Sequence, residues 1–128
     1  MERPWLRVGA VTVTSEPARA RELADFYHRL LGWPIVDVGP KGGWAQLRPP
    51  DGEAGPTINI EEDRHHARPV WPSQSGEQTA TMHLDLGVDD LDAAVAWALE
   101  LGATQAEHQP QPQVRVMLDP HGHPFCLS

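Results

Sequence analysis

The chain states one pattern twice. GAVTVTSEPARA (Gly9 to Ala20) and HLDLGVDDLDAA (His83 to Ala94) each run an alternating strand into an acidic helix start, and an internal repeat constrains a fold more tightly than any single motif. From Ala18 the first copy places Leu23, Phe26, Tyr27, Leu30 and Leu31 at helical spacing and stops at Gly32, a residue suited to a left-handed C-terminal cap. In the second copy Leu91, Ala94, Val95, Ala98 and Leu99 form the stripe, Asp89 and Asp90 offer an N-cap and Gly102 closes the helix. Three short strand candidates follow each helix: residues 34–38, 43–48 and 57–62 in the first half, and 103–107, 113–118 and 123–127 in the second. The reading is βαβββ repeated, an α+β fold of two tandem modules whose curved mixed sheets or half-barrels surround a cavity. Module one spans 5–62, a polar, proline-containing linker spans 63–80 and module two spans 81–128, all within one domain.

Composition narrows the partners. Ten Lys plus Arg against eighteen Asp plus Glu give a net charge of -8, and no basic stripe is present to follow a phosphate backbone, so no nucleic-acid partner is expected. No stretch approaches a membrane span. A single cysteine and a start without the apolar run of a signal peptide favour a reducing, cytoplasmic location.

The repeat, the phrases FYHRLLGW, MHLDLGVDDLDAAVAWALELGA and LDPHGHPFCL, and the WP of the linker resemble the vicinal oxygen chelate superfamily. That superfamily holds glyoxalases, bleomycin-resistance proteins and extradiol dioxygenases, and the nearest likeness is to glyoxalase-like proteins of unassigned substrate. The resemblance implies paired modules that enclose a small-molecule cavity, where a divalent metal can sit on ligands from the first and last strand of each module. Carried over, those positions fall on Gly9 and Glu61 in module one and on His83 and Cys126 in module two. Gly9 offers no ligand and Cys126 replaces a carboxylate, so no cofactor is expected. Were a divalent metal bound, its ligands would be His83, Glu61 and Cys126, a set with the soft donor that zinc accepts.

Strand alternation then sorts the candidates. Met82, Leu84, Leu86 and Val88 share the face that packs under the helices, leaving His83 and Asp85 on the cavity face. In TINIEE, Ile58 and Ile60 pack inward and Thr57, Asn59 and Glu61 face the cavity, while the first strand offers Gly9, Val11 and Val13 to it. The expected ligand-binding set is therefore His83, Asp85, Glu61, Asn59, Cys126, Trp44 and Val11, with His83 and Glu61 as the acid and base if catalysis occurs. His121 belongs to the DPHG turn and is expected in solvent, and so is the His65-His66 pair. His123 falls on the opposite face of its strand from Cys126.

The expected function is binding of a small organic molecule without a complete metal site. The alternative is a metal-dependent or acid/base lyase, isomerase or dioxygenase that uses the same cavity. Edge strands and apolar surface, with Trp97 off the helix stripe, favour a homodimer.

Overall fold

The computed structural model describes residues 1–128. Alternating AVTVTS forms β1 (Ala10–Ser15), after which the chain turns into α1 (Ala20–Leu31). Helix α1 ends as its sequence requires: Gly32 adopts φ 74° and its backbone N–H returns to the carbonyl of His28. Three strands complete the first half, β2 (Ile35–Val38), β3 (Trp44–Leu47) and β4 (Thr57–Glu62). The second half repeats the order with β5 (Leu84–Leu86), α2 (Leu91–Glu100), β6 (Thr104–Gln105), β7 (Arg115–Leu118) and β8 (Pro124–Leu127). Asp90 caps α2 by accepting the Ala93 N–H at 3.0 Å.

Each half makes a four-stranded mixed sheet. The orders are β1-β4-β3-β2 and β5-β8-β7-β6, so the two sheets share one topology. In both, the first and last strands run parallel and the other pairs antiparallel. The α+β reading holds. Residues 1–9 lie outside any strand or helix, with Trp5, Leu6 and Val8 exposed, and the expected strand over 103–107 shortens to two residues.

One core serves both sheets. Leu23, Phe26 and Tyr27 of α1 pack with Ala45, Leu47, Ile58 and Ile60 of the first sheet and with Met117, Phe125 and Leu127 of the second. Phe26 and Phe125 approach to 5.9 Å between ring centres, which joins α1 to β8. Each fully buried Leu, Ile, Met or Phe side chain here contributes roughly 1.5–3 kcal/mol of transfer free energy.

The pairing register assigns faces and overturns two expectations. Val11 and Val13 pair with Ile58 and Ile60, and partners in register point to the same side of a sheet. Val11 therefore shares the helix face, and the open face of β1 carries Thr12 and Thr14 instead. The repeat register shifts with it. Glu61 pairs with Thr14 and Cys126 with Asp85, so laying Glu61 on Cys126 places His83 on Thr12, not on Gly9. Met82 does not pack under a helix; it is 75% exposed, because β5 begins only at Leu84.

Candidate functional site

A cavity of about 500 Å³ lies where the two halves meet. Residues 11–14 of β1 form one wall, the linker supplies Asp63, His65, His66 and Gln78 to Ala80, and Thr81 to Leu84 with His123 and Pro124 close the far side. The volume falls in the range of small-molecule sites. The linker is thus more than a connection: it is a wall of the cavity.

Three imidazoles bind the linker and the β7–β8 turn to the end of β1. His121 is fully buried, with Nδ1 accepting the Glu16 N–H at 3.1 Å and Nε2 lying 2.9 Å from Glu22 Oε1. A nitrogen that accepts an amide hydrogen carries none itself, so the hydrogen of His121 is on Nε2 and is donated to Glu22. His66 is half-buried, with Nε2 2.9 Å from the His121 carbonyl and Nδ1 3.1 Å from the Thr14 hydroxyl. His123 sets Nε2 2.7 Å from the Thr14 carbonyl. The expectation that His121 and His66 sit in solvent is corrected: the DPHG turn folds inward because Asp119 is itself buried and needs partners. Its Oδ1 accepts the backbone N–H of His121 at 2.8 Å and of His123 at 3.0 Å, and its Oδ2 accepts the Tyr27 hydroxyl at 2.6 Å. Burial first, and then the Asp119 charge and hydrogen bond, hold the Tyr27 hydroxyl protonated well above the usual tyrosine range. Gly122 completes the turn at φ 92°, where a Cβ would meet Arg68 at 2.9 Å, so the linker can cross only a glycine here.

The second feature lies on the open face of the second sheet. His83, Asp85 and Cys126 present donor atoms that all lie within 4.8 Å of one another. His83 Nε2 and Asp85 Oδ1 are 3.2 Å apart, both side chains being exposed. Cys126 stands beside Asp85 because β5 and β8 run parallel in that register. Burial, followed by the Asp85 carboxylate, raises the Cys126 thiol above its ordinary range, so the free protein holds it as a thiol.

The expected site residues thus divide. The structure brings together His83, Asp85 and Cys126, and His83 alone of the three lines the cavity. Glu61 is exposed at the end of β4, in register with Trp44, and stands outside that group. Asn59 is spent on the sheet, accepting from Gln46 Nε2 at 2.9 Å. Half-buried Trp44 lies on β3 and, like Glu61 and Asn59, is absent from the cavity lining. Sequence reasoning missed Thr12, Thr14, Tyr27 and the linker wall. A sharper signal existed for Thr14, since only one of the two parities in AVTVTS can share a face with Ile58 and Ile60.

Comparison with known proteins follows the same line. A family model described as a glyoxalase-like domain matches residues 10–128, and the chain belongs to that family. No curated protein sequence matches it. Among solved structures it is similar to a glyoxalase/bleomycin resistance protein/dioxygenase family enzyme from Burkholderia phytofirmans PsJN. That match has 17% identity and a TM-score of 0.66 over 95% of this chain and 97% of the other. It is also similar to TnmS3, an antibiotic binding protein from Streptomyces sp. CB03234, at 21% identity and TM-score 0.63 over 99% and 98% of the two chains. Lactoylglutathione lyase from Agrobacterium tumefaciens matches at 14% identity and TM-score 0.60 over 98% and 94%.

Proposed function

We propose that this protein binds a small organic molecule in the cavity between its two halves, without needing a metal, and acts in the cytoplasm as a homodimer. The observation that carries the reading is the cavity itself: about 500 Å³, walled by β1, the linker and the start of β5. Its lining mixes hydroxyls and imidazoles with Met82, Leu84 and Pro124, the combination that gives a ligand both apolar cover and a fixed orientation. The likeness to an antibiotic binding protein of the same fold agrees with a binding role. A thermal-shift screen of metabolites and drugs tests it, because a ligand that binds only the folded chain raises its melting temperature. Expected is at least one hit whose stabilisation is lost when Thr12→Trp fills the cavity; hits that survive this variant overturn the reading.

A second reading rests on His83, Asp85 and Cys126. Family enzymes of this fold can hold a divalent metal, and these donors fit one: an imidazole, a carboxylate and a thiol gathered within 4.8 Å suit zinc. Asp85 takes the place that the sequence had given to Glu61. A bound ion there would supply Lewis-acid chemistry. Elemental analysis after purification from zinc-supplemented medium separates the readings: one zinc per chain, lost in Cys126→Ser, favours the metal centre.

A further inference from the structure

We propose that segment 1–9 of one chain docks along helix α2 of a second copy, each subunit giving its segment to the other, and that this exchange is the interface of the homodimer. The inference rests on the homodimer reading above and names its surface. Residues 1–8 are all exposed, Trp5 at 77%, and Arg3 donates to the carbonyl of its own neighbour Pro4. Anchorage to the body begins at Gly9, whose carbonyl accepts the Thr57 N–H at 3.1 Å. Trp5, Leu6 and Val8 clustered in this way mark a contact surface rather than a solvated one.

Helix α2 presents the matching deficit. Apart from Asp92 and Glu100 all its residues are apolar, yet Ala98 alone is buried. A helix apolar round its circumference is ordinarily enclosed, and α2 instead leaves Ala93, Ala96, Trp97 and Leu99 exposed. Spacing of three and four residues joins Ala93, Ala96 and Trp97 into one stripe, where the two small side chains admit close approach beside the indole. Within one chain both this stripe and segment 1–9 stay uncovered, so the occupant comes from a second copy.

Charge gives the pairing its sense. Segment 1–9 holds Arg3 and Arg7 against Glu2 in a chain of net charge -8, and neither arginine is paired with a carboxylate among the described residues. From Asp89 to Glu100 every charged residue is acidic, and no basic residue stands in the last turn of α2 to meet the negative end of its dipole. Two α2 helices packed on each other would bring these carboxylates together, so the basic segment is the favoured occupant. The lengths agree, since residues 3–8 extended cover about 20 Å and α2 about 15 Å. The area agrees as well. The chain exposes 8240 Å², whereas a compact monomer of its 14.1 kDa exposes about 6,700 Å². The surplus of about 1,500 Å² per chain is on the scale that one subunit of a permanent dimer covers. Reciprocal exchange about a two-fold axis serves both segments and both helices and closes the assembly at two chains.

The test is light scattering on the whole protein at micromolar concentration in low salt, with two charge-reversed variants, Arg3→Glu/Arg7→Glu and Asp92→Lys/Glu100→Lys. Wild type is expected at twice the chain mass. Each variant alone sets like charges against each other and should run as a monomer, while an equimolar mixture should form a heterodimer in which both contacts pair opposite charges again. Trp5→Ala should weaken the dimer about thirtyfold, the scale of a buried aromatic anchor. All of these positions are exposed, so native circular dichroism is expected throughout. A wild-type dimer indifferent to both reversals and to Trp5→Ala would overturn the exchange while leaving the homodimer reading intact. A mixture that stays monomeric would also overturn it, since a segment seated on its own α2 gains nothing from a partner. Monomeric wild type would overturn both readings, whether the segment then binds anionic vesicles or nothing.

Discussion

Tyr27 and Asp119 are 92 residues apart in the chain and share a hydrogen bond of 2.6 Å, buried between helix α1 and the turn that leads into β8. The same carboxylate orients His121 and His123, so one acidic side chain holds the core, the turn and the cavity wall in register. Its three donors come from both halves of the molecule.

Tyr27→Phe removes one of those donors and leaves a buried carboxylate short of a partner. The expected loss is about 1.5–3 kcal/mol in urea unfolding, the range for hydrogen bonds to charged groups. The Tyr27 pKa is raised in the folded state, so folding favours its protonated form; this stability is present below the unfolded tyrosine value near about 10 and drains away as pH rises beyond it. Wild type should therefore lose stability faster than Tyr27→Phe in alkaline titrations.

His121→Ala should destabilise more than His83→Ala. His121 is fully buried and leaves Glu16's N–H without its acceptor, a loss of about 2–4 kcal/mol once cavity and hydrogen-bond terms combine. His83 is exposed, and its replacement should fall within about 0.5 kcal/mol. Equal losses in chemical denaturation would reject the burial argument.

Cys126 should react slowly with iodoacetamide at pH 8, since the thiolate is the nucleophile and its thiol is held protonated. Asp85→Asn removes the neighbouring charge and should speed alkylation several-fold; an unchanged rate would show that Asp85 does not act on the thiol.

Asp90→Ala should cost about 1 kcal/mol through loss of the α2 cap, with Asp90→Asn restoring most of it. Thermal melts of the three proteins decide the point.

The periodic parts of the fold were legible because their physics is local. Both helices, both closing glycines and the Asp90 cap follow from spacing and backbone preference. His83, Asp85 and Cys126 were also within reach, since alternation along LDL and PFCL places them on one face. Val11 lines the cavity as expected but from the other face of β1, because AVTVTS alternates small and β-branched residues of similar character, and only pairing with Ile58 decides its side. His121 and His66 were misread for a different reason. A turn residue's burial depends on what folds over it, and the partners here, Glu16, Glu22 and Thr14, come from the opposite half of the chain.

The shared core has a consequence for how this molecule can be divided. Phe26 of the first half rests on Phe125 of the second, and Tyr27 and Asp119 satisfy each other across the same boundary. Separate expression of residues 1–74 and 75–128, cut within an exposed stretch of the linker, would give two fragments that each lack part of one interior. Mixed together, they would have a shared reason to reassemble. The protein is thus suited to act as a split reporter, with recovery of its cavity recording the meeting of its halves.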